Sequence, residues 1–103
     1  MGLEGCVEAR LLARDRRVNQ EVRLLFNLLT TKSQKRKYVT AEKVWLVSRT
    51  ADCQSESNIY QGGTVAPVLY GECEVSEDQA RSSMLHSYFY LLEQNTTNKP
   101  AWP

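Results

Sequence analysis

Residues 6–30 read CVEARLLARDRRVNQEVRLLFNLLT, and this stretch decides the class of fold. Its apolar residues recur at spacings of seven, four, three and four, at Leu11, Val18, Val22, Leu25 and Leu29. That periodicity predicts an amphipathic helix, and no Gly or Pro interrupts it. The charged residues Arg10, Arg14, Arg17 and Glu21 are expected on its other faces.

A second helix is predicted after a short polar connector at residues 31–37, whose Lys and Arg side chains indicate a solvated turn. The helix is expected over residues 39–55. On one of its faces Glu42, Trp45, Arg49 and Cys53 follow at spacings of three, four and four. Residues at these spacings are neighbours on a helix surface, so the last three should stack on one side.

The next segment, residues 56–74, has no helical periodicity and contains the breakers Asn58, Gly62, Gly63 and Pro67. It is predicted to be a loop, unusually long for a compact domain. Because Cys53 and Cys73 flank it, a disulfide between them would close it. Such a bridge would stabilise the fold by about 3 kcal/mol, through the entropy of the unfolded chain.

A third helix is predicted from a capping-box pattern at Ser76 to Gln79, and should run to about Glu93. Its apolar side is expected to carry Ala80, Met84, Tyr88, Leu91 and Leu92. Residues 94–103 are expected to form a flexible tail. The sequence therefore predicts one all-α domain over residues 1–103, a three-helix bundle with a disulfide-stapled loop between the second and third helices.

The charge of this 103-residue chain is unevenly distributed, although the net value is only +1. Residues 1–50 carry 11 Lys/Arg and 5 Asp/Glu, whereas residues 51–103 carry 2 and 7. This polarity favours the orientation of a protein partner over nucleic-acid binding, which needs a domain-wide basic excess. No apolar stretch approaches the roughly 20 residues that span a bilayer.

The residues offer little for catalysis or metal binding. Three cysteines without a CxxC pair, and one histidine, His86, do not make a zinc site. One disulfide with Cys6 left over is the better interpretation, and it implies an oxidising compartment. A cluster of acids is expected to form a solvated knob rather than a catalytic pair: Asp52, Glu56, Glu72, Glu74, Glu77 and Asp78. The chain is therefore predicted to be no enzyme and to need no cofactor.

Several spaced motifs together resemble the LprI-type family of small bacterial secreted and lipid-anchored domains. The positions that match its pattern are Cys6, Asp15, Asn19, Trp45, Arg49, Cys53, Gly62, Gly63, Cys73 and Arg81. Departures from the pattern are Val22 for Tyr, Glu42 for Gln, Thr50 for Asp and Asp78 for Thr. The resemblance covers about residues 6–92. It implies an all-α domain, exported to the periplasm or the cell surface, with inhibition of lysozyme among the family's activities.

The expected roles follow from this resemblance and from the helical spacing. Asp15, Asn19, Trp45, Arg49 and Arg81 should be structural, with Asp15 buried on the apolar stripe and paired with Arg49 or Arg81. Binding to a lysozyme-type hydrolase, by masking its cleft, is assigned to the loop and its acidic rim: Asp52, Glu56, Tyr60, Gly62, Gly63, Tyr70, Glu72 and Glu74. The alternative is an immunity or cell-envelope interaction protein with another target. The chain is expected to be a monomer or weak dimer. Polar residues follow Met1 directly, so the protein is expected either to be cytoplasmic or to have lost a leader peptide, and the resemblance favours the second.

Overall fold

The computed structural model describes residues 3–59, 63, 65–93 and 100–103, with side chains from residue 5 onward. It contains three helices, α1 (Leu3–Leu28), α2 (Lys32–Asn58) and α3 (Ala66–Glu93), and no strand among the described residues. The short connection between α1 and α2 makes them antiparallel, and α3 packs against both. The predicted all-α, three-helix architecture is confirmed.

Helix α2 begins at Lys32, earlier than its apolar periodicity predicts. Thr31 caps it: the Gln34 backbone N–H donates to Thr31 Oγ1 over 3.1 Å, and the Thr31 N–H donates to Gln34 Oε1 over 3.2 Å. This reciprocal pair satisfies two of the donors that a helix N-terminus leaves free. The predicted connector at residues 31–37 is therefore wrong, because all but its first residue is helical.

The predicted long loop at residues 56–74 is also wrong. Helix α2 continues to Asn58 and α3 begins at Ala66, so only residues 59–65 lie between them. Pro67 does not break α3, because it lies in the first turn, where its missing N–H has no intrahelical acceptor. Ser76 lies in the middle of the helix and caps nothing.

Gly71 allows α1 and α3 to approach closely near their N-termini. A Cβ atom at this position would collide with Cγ1 of Val7, and both residues are buried. Glycine inside a helix usually costs stability. Here its lack of a side chain lets the two backbones pack together. Gly71 is therefore needed for helix packing inside α3, and not for a turn in a loop.

The disulfide between Cys53 and Cys73 is confirmed, with a Cα–Cα distance of 5.5 Å. Because both residues are helical, the bond joins α2 directly to α3 and does not close a long irregular loop. The two helices are thereby held together at the end of the bundle where α1 begins.

The core contains Val18 and Leu25 from α1, Leu29 directly after that helix, and Leu85 and Phe89 from α3, together with Tyr38 of α2. The apolar stripe predicted for α1 is thus correct at its buried positions. The apolar side predicted for α3 is wrong at Ala80, Met84, Tyr88 and Leu91, which are exposed, and correct at Leu92, which packs against the core. The side that packs inward carries two charged residues, Asp78 and Arg81, which hid the true periodicity.

The C-terminal residues 100–103 lie against the helices. The Trp102 ring stacks on His86, with 5.2 Å between ring centroids, and contacts Phe89. Arg17 also donates to the Pro103 carbonyl over 3.3 Å. The flexible tail was expected over residues 94–103, of which 94–99 lie outside the described residues.

A central charge cluster and an acidic end

Arg49 connects all three helices through carboxylates. Its Nη1 donates to Asp78 Oδ1 of α3 over 2.8 Å and to Asp15 Oδ1 of α1 over 3.0 Å. Its Nη2 lies 3.4 Å from Glu74 Oε2, also on α3. The expected pairing of Asp15 with Arg49 is present, but the expected burial is wrong, because 37% of the Asp15 side chain is exposed. Within this cluster the fully buried carboxylate is Asp78.

The surroundings of this cluster change the acidity of its members. Burial, together with a hydrogen bond with the Asp15 carboxyl group, raises the pKa of Asp78 to about 7, although the hydrogen bond from Arg49 acts in the opposite direction. Burial likewise raises the pKa of Glu74, against the attraction of Arg49. Burial lowers the pKa of Arg49, yet its hydrogen bonds to Asp78 and Asp15 outweigh that effect and raise it. The single guanidinium group of Arg49 therefore interacts with three carboxyl groups.

A second ion pair extends the cluster towards the core. Arg81 Nη2 donates to Glu42 Oε2 over 2.9 Å, and both side chains are largely buried. The centre of the Trp45 ring lies 5.3 Å from Cζ of Arg49 and 5.4 Å from Cζ of Arg81. Cations over an indole face are attracted by its π electrons. Trp45 also packs against the apolar core, which fits the structural role expected for it.

Glu21 is a second buried carboxylate, on α1. It was expected on an outer face of the first helix, but only 1% of the residue is exposed. Ser82 of α3 donates to its Oε1 over 2.5 Å, and Arg17 Nε lies 3.8 Å from its Oε2. Asn19, by contrast, is exposed on α1.

The acids of the second half do not form a single solvated knob. Asp52 and Glu56 are exposed on the last turns of α2, and Gly63 is exposed after them. Glu72 forms a 2.6 Å ion pair with Arg10, while Glu74 and Asp78 are directed inward to Arg49. Tyr70 is half-buried. Tyr60 and Gly62 lie outside the described residues.

The described residues contain no group of His, Cys, Asp and Glu side chains suited to a metal ion. Cys6 is exposed and not bonded to another cysteine. None of the described helices is long and apolar enough to span a bilayer.

A family model described as lysozyme inhibitor LprI matches residues 1–85. This chain belongs to the LprI lysozyme-inhibitor family. No curated protein and no solved structure matches it. Membership of an inhibitor family agrees with a protein that binds an enzyme instead of acting as one.

The structure gives a reason for two departures of this LprI chain from the family pattern noted above. Glu42 stands where the pattern has Gln, and it pairs with Arg81. Asp78 stands where the pattern has Thr, and it pairs with Arg49. Both departures place a carboxylate beside an arginine of the pattern. The pattern residues Asp15, Trp45, Arg49 and Arg81 thus meet in one cluster at the centre of the bundle.

Proposed function

We propose that this protein inhibits a lysozyme-type peptidoglycan hydrolase outside the cytoplasm, by occupying the substrate cleft with the disulfide-linked end of the bundle. Membership of the LprI family carries the proposal. The disulfide supports the compartment, because such bonds persist in oxidising environments such as the periplasm and the cell surface. Inhibition of this kind needs no catalytic group, since a bound protein simply excludes the substrate.

The contact surface is proposed to lie where α2 ends and α3 begins. Asp52 and Glu56 lie one helical turn apart there, are exposed, and form no ion pair with another described residue. Lysozymes are typically basic, so unpaired carboxylates at this end of the bundle would accelerate the encounter. The surface is completed by Tyr60, Gly62, Gly63, Tyr70 and Glu72. Glu74 is left out, because it faces Arg49.

The end that carries these residues is also well suited to enter a cleft. The Cys53–Cys73 bond lies one residue from Asp52 and fixes α2 against α3. A binding element that is already ordered loses less conformational entropy when its partner docks. Tyrosine adds apolar contact area together with a polar hydroxyl group, which suits a cleft that normally holds a saccharide.

A matched pair of charge reversals tests the surface. Glu56→Lys changes the acidic end, whereas Glu93→Lys makes the same charge change at the opposite end of the bundle. We expect Glu56→Lys to weaken lysozyme inhibition about tenfold through a slower association rate, with the loss shrinking at high salt. Glu93→Lys should inhibit as the wild type does.

Equal inhibition by the two variants would place the contact surface elsewhere on the bundle. Absence of inhibition by the wild-type protein would favour the alternative, an immunity or envelope protein with another target. A reversal of Glu72 together with Glu74 is unsuitable for this purpose, because a lysine at position 74 would place a second cation beside Arg49.

A further inference from the structure

A groove with an apolar floor separates α1 from α2. Helix α3 packs against both of them, whereas α1 and α2 hardly approach each other along their length. The gap has a volume of about 380 Å³. Its apolar lining consists of Val22 and Phe26 from α1 and Tyr38 and Val39 from α2.

The rim of this groove carries uncompensated positive charge. Arg23 of α1 and Lys43 of α2 line it, are exposed, and form no ion pair with another described residue. The carboxylate in the lining, Glu42, is already bound by Arg81. A third cation, Lys35, lies with its Nζ 5.0 Å from the centre of the Phe26 ring. The chemistry that fits is an apolar side chain flanked by carboxylates.

The same chain presents that chemistry at the other end of α2. Asp52, Glu56 and Ile59 follow one another at spacings of four and three, so they form a single stripe. All three are exposed, Ile59 at 74%. This acidic stripe cannot reach the groove of its own molecule, because Lys43 and Ile59 are held about 24 Å apart along the α2 helix.

We infer that two copies of this chain associate head to tail, with the acidic stripe of one copy docked in the α1–α2 groove of the next. Ile59 contacts the apolar floor, and Glu56 and Asp52 approach Lys43 and Arg23. The two surfaces of the contact differ, so each associated pair leaves one groove and one stripe free for further copies. The contact is small, and the association is correspondingly weak. It does not depend on the proposed inhibition.

Sedimentation velocity over a concentration series tests this inference, with reductant present to exclude dimers linked through Cys6. The average sedimentation coefficient of the wild-type protein should increase with protein concentration up to about 1 mM, and added salt should reduce this increase. Lys43→Glu and Glu56→Lys should each abolish it, since each places like charges in contact. Lys37→Glu is the control: it makes the same charge change at an exposed position on α2, outside the groove, and should leave association intact.

The decisive step combines the two reversals. A Lys43→Glu/Glu56→Lys double variant should associate again, and so should a mixture of the two single variants, because opposite charges then meet once more. Circular dichroism should show all variants to be as helical as the wild type. A wild-type protein that stays monomeric, an equal effect of Lys37→Glu and Lys43→Glu, or a double variant that fails to associate would each overturn the inference.

Discussion

The Nη1 atom of Arg49 lies 2.8 Å from Oδ1 of Asp78, at a point where the Asp78 side chain has no contact with solvent. The same nitrogen also binds the carboxylate of Asp15, and Asp78 Oδ2 has no hydrogen-bond donor among the described groups. One guanidinium does not fully compensate two adjacent carboxylates together with Glu74. The buried member of this cluster therefore takes up a proton more readily than an ordinary aspartate.

The stability of the protein should consequently increase as the pH falls from about 7 to about 4. Burial raises the pKa of Asp78 to about 7 in the folded state, whereas an unfolded aspartate titrates near 3.9. Between these values the folded state binds more protons, so its stability is lost as the pH rises through 7. Urea unfolding at several pH values measures this slope. Asp78→Asn, which cannot titrate, should flatten it; an unchanged slope would contradict the assignment.

Replacing Arg49 with Met should be far more damaging than the same change at Arg10. Without Arg49, the carboxylates of Asp78 and Glu74 remain buried without their cation, which commonly costs about 3–5 kcal/mol of the free energy of unfolding. Arg10 pairs with Glu72 at the surface, where such pairs contribute at most about 1 kcal/mol. Denaturant unfolding of both variants compares them directly. Similar losses would show that the Arg49 cluster is no more important than a surface pair.

The helical architecture and the disulfide are predicted correctly from the sequence, whereas the start and end of α2, the start of α3 and the buried face of α3 are not. The stripe on α1 is apolar at its buried positions, so its period is visible. Helix α3 places Asp78 and Arg81 inward, while Met84 and Tyr88 face solvent. A prediction that treats only apolar residues as core therefore selects the solvent-exposed face of α3 as the buried one.

Two local signals were present in the sequence and were missed. Thr31 and Gln34 form the Thr-x-x-Gln pattern of a capping box, which marks the start of α2. Pro67 is compatible with a first helical turn, although it was interpreted as a breaker. The helical role of Gly71 could not be foreseen, because it depends on the approach of Val7 from a distant part of the chain.

Gly71→Ala should destabilise the protein by about 1–3 kcal/mol, because the added methyl group would overlap Val7 and force the helices apart. In a helix that lacked this contact, the same substitution would be stabilising. Shortening Val7 to Ala should make room, so the Val7→Ala/Gly71→Ala double variant should lose less than the sum of the two single losses. Strict additivity in thermal unfolding would contradict the close approach.

Removal of the disulfide by Cys53→Ser with Cys73→Ser should lower the free energy of unfolding by about 3 kcal/mol. This is the value expected when a bond between residues 20 positions apart constrains the unfolded chain. The comparison is best made in a Cys6→Ser background, so that no free thiol exchanges with the bond. Circular dichroism should show the same helical content at low temperature, since the core lies mainly towards the other end. A loss of helicity in the native buffer would show that the bond is required for folding itself.

The central claim, that this LprI-family protein masks a lysozyme cleft, is tested most directly by steady-state kinetics with a soluble oligosaccharide substrate. A small substrate still needs the cleft, and its turnover does not depend on access to an intact cell wall. We predict that the apparent KM of the lysozyme rises linearly with the concentration of this protein while kcat stays unchanged, as expected for competition at the cleft. A lower kcat at constant KM, or no change in either constant, would contradict it.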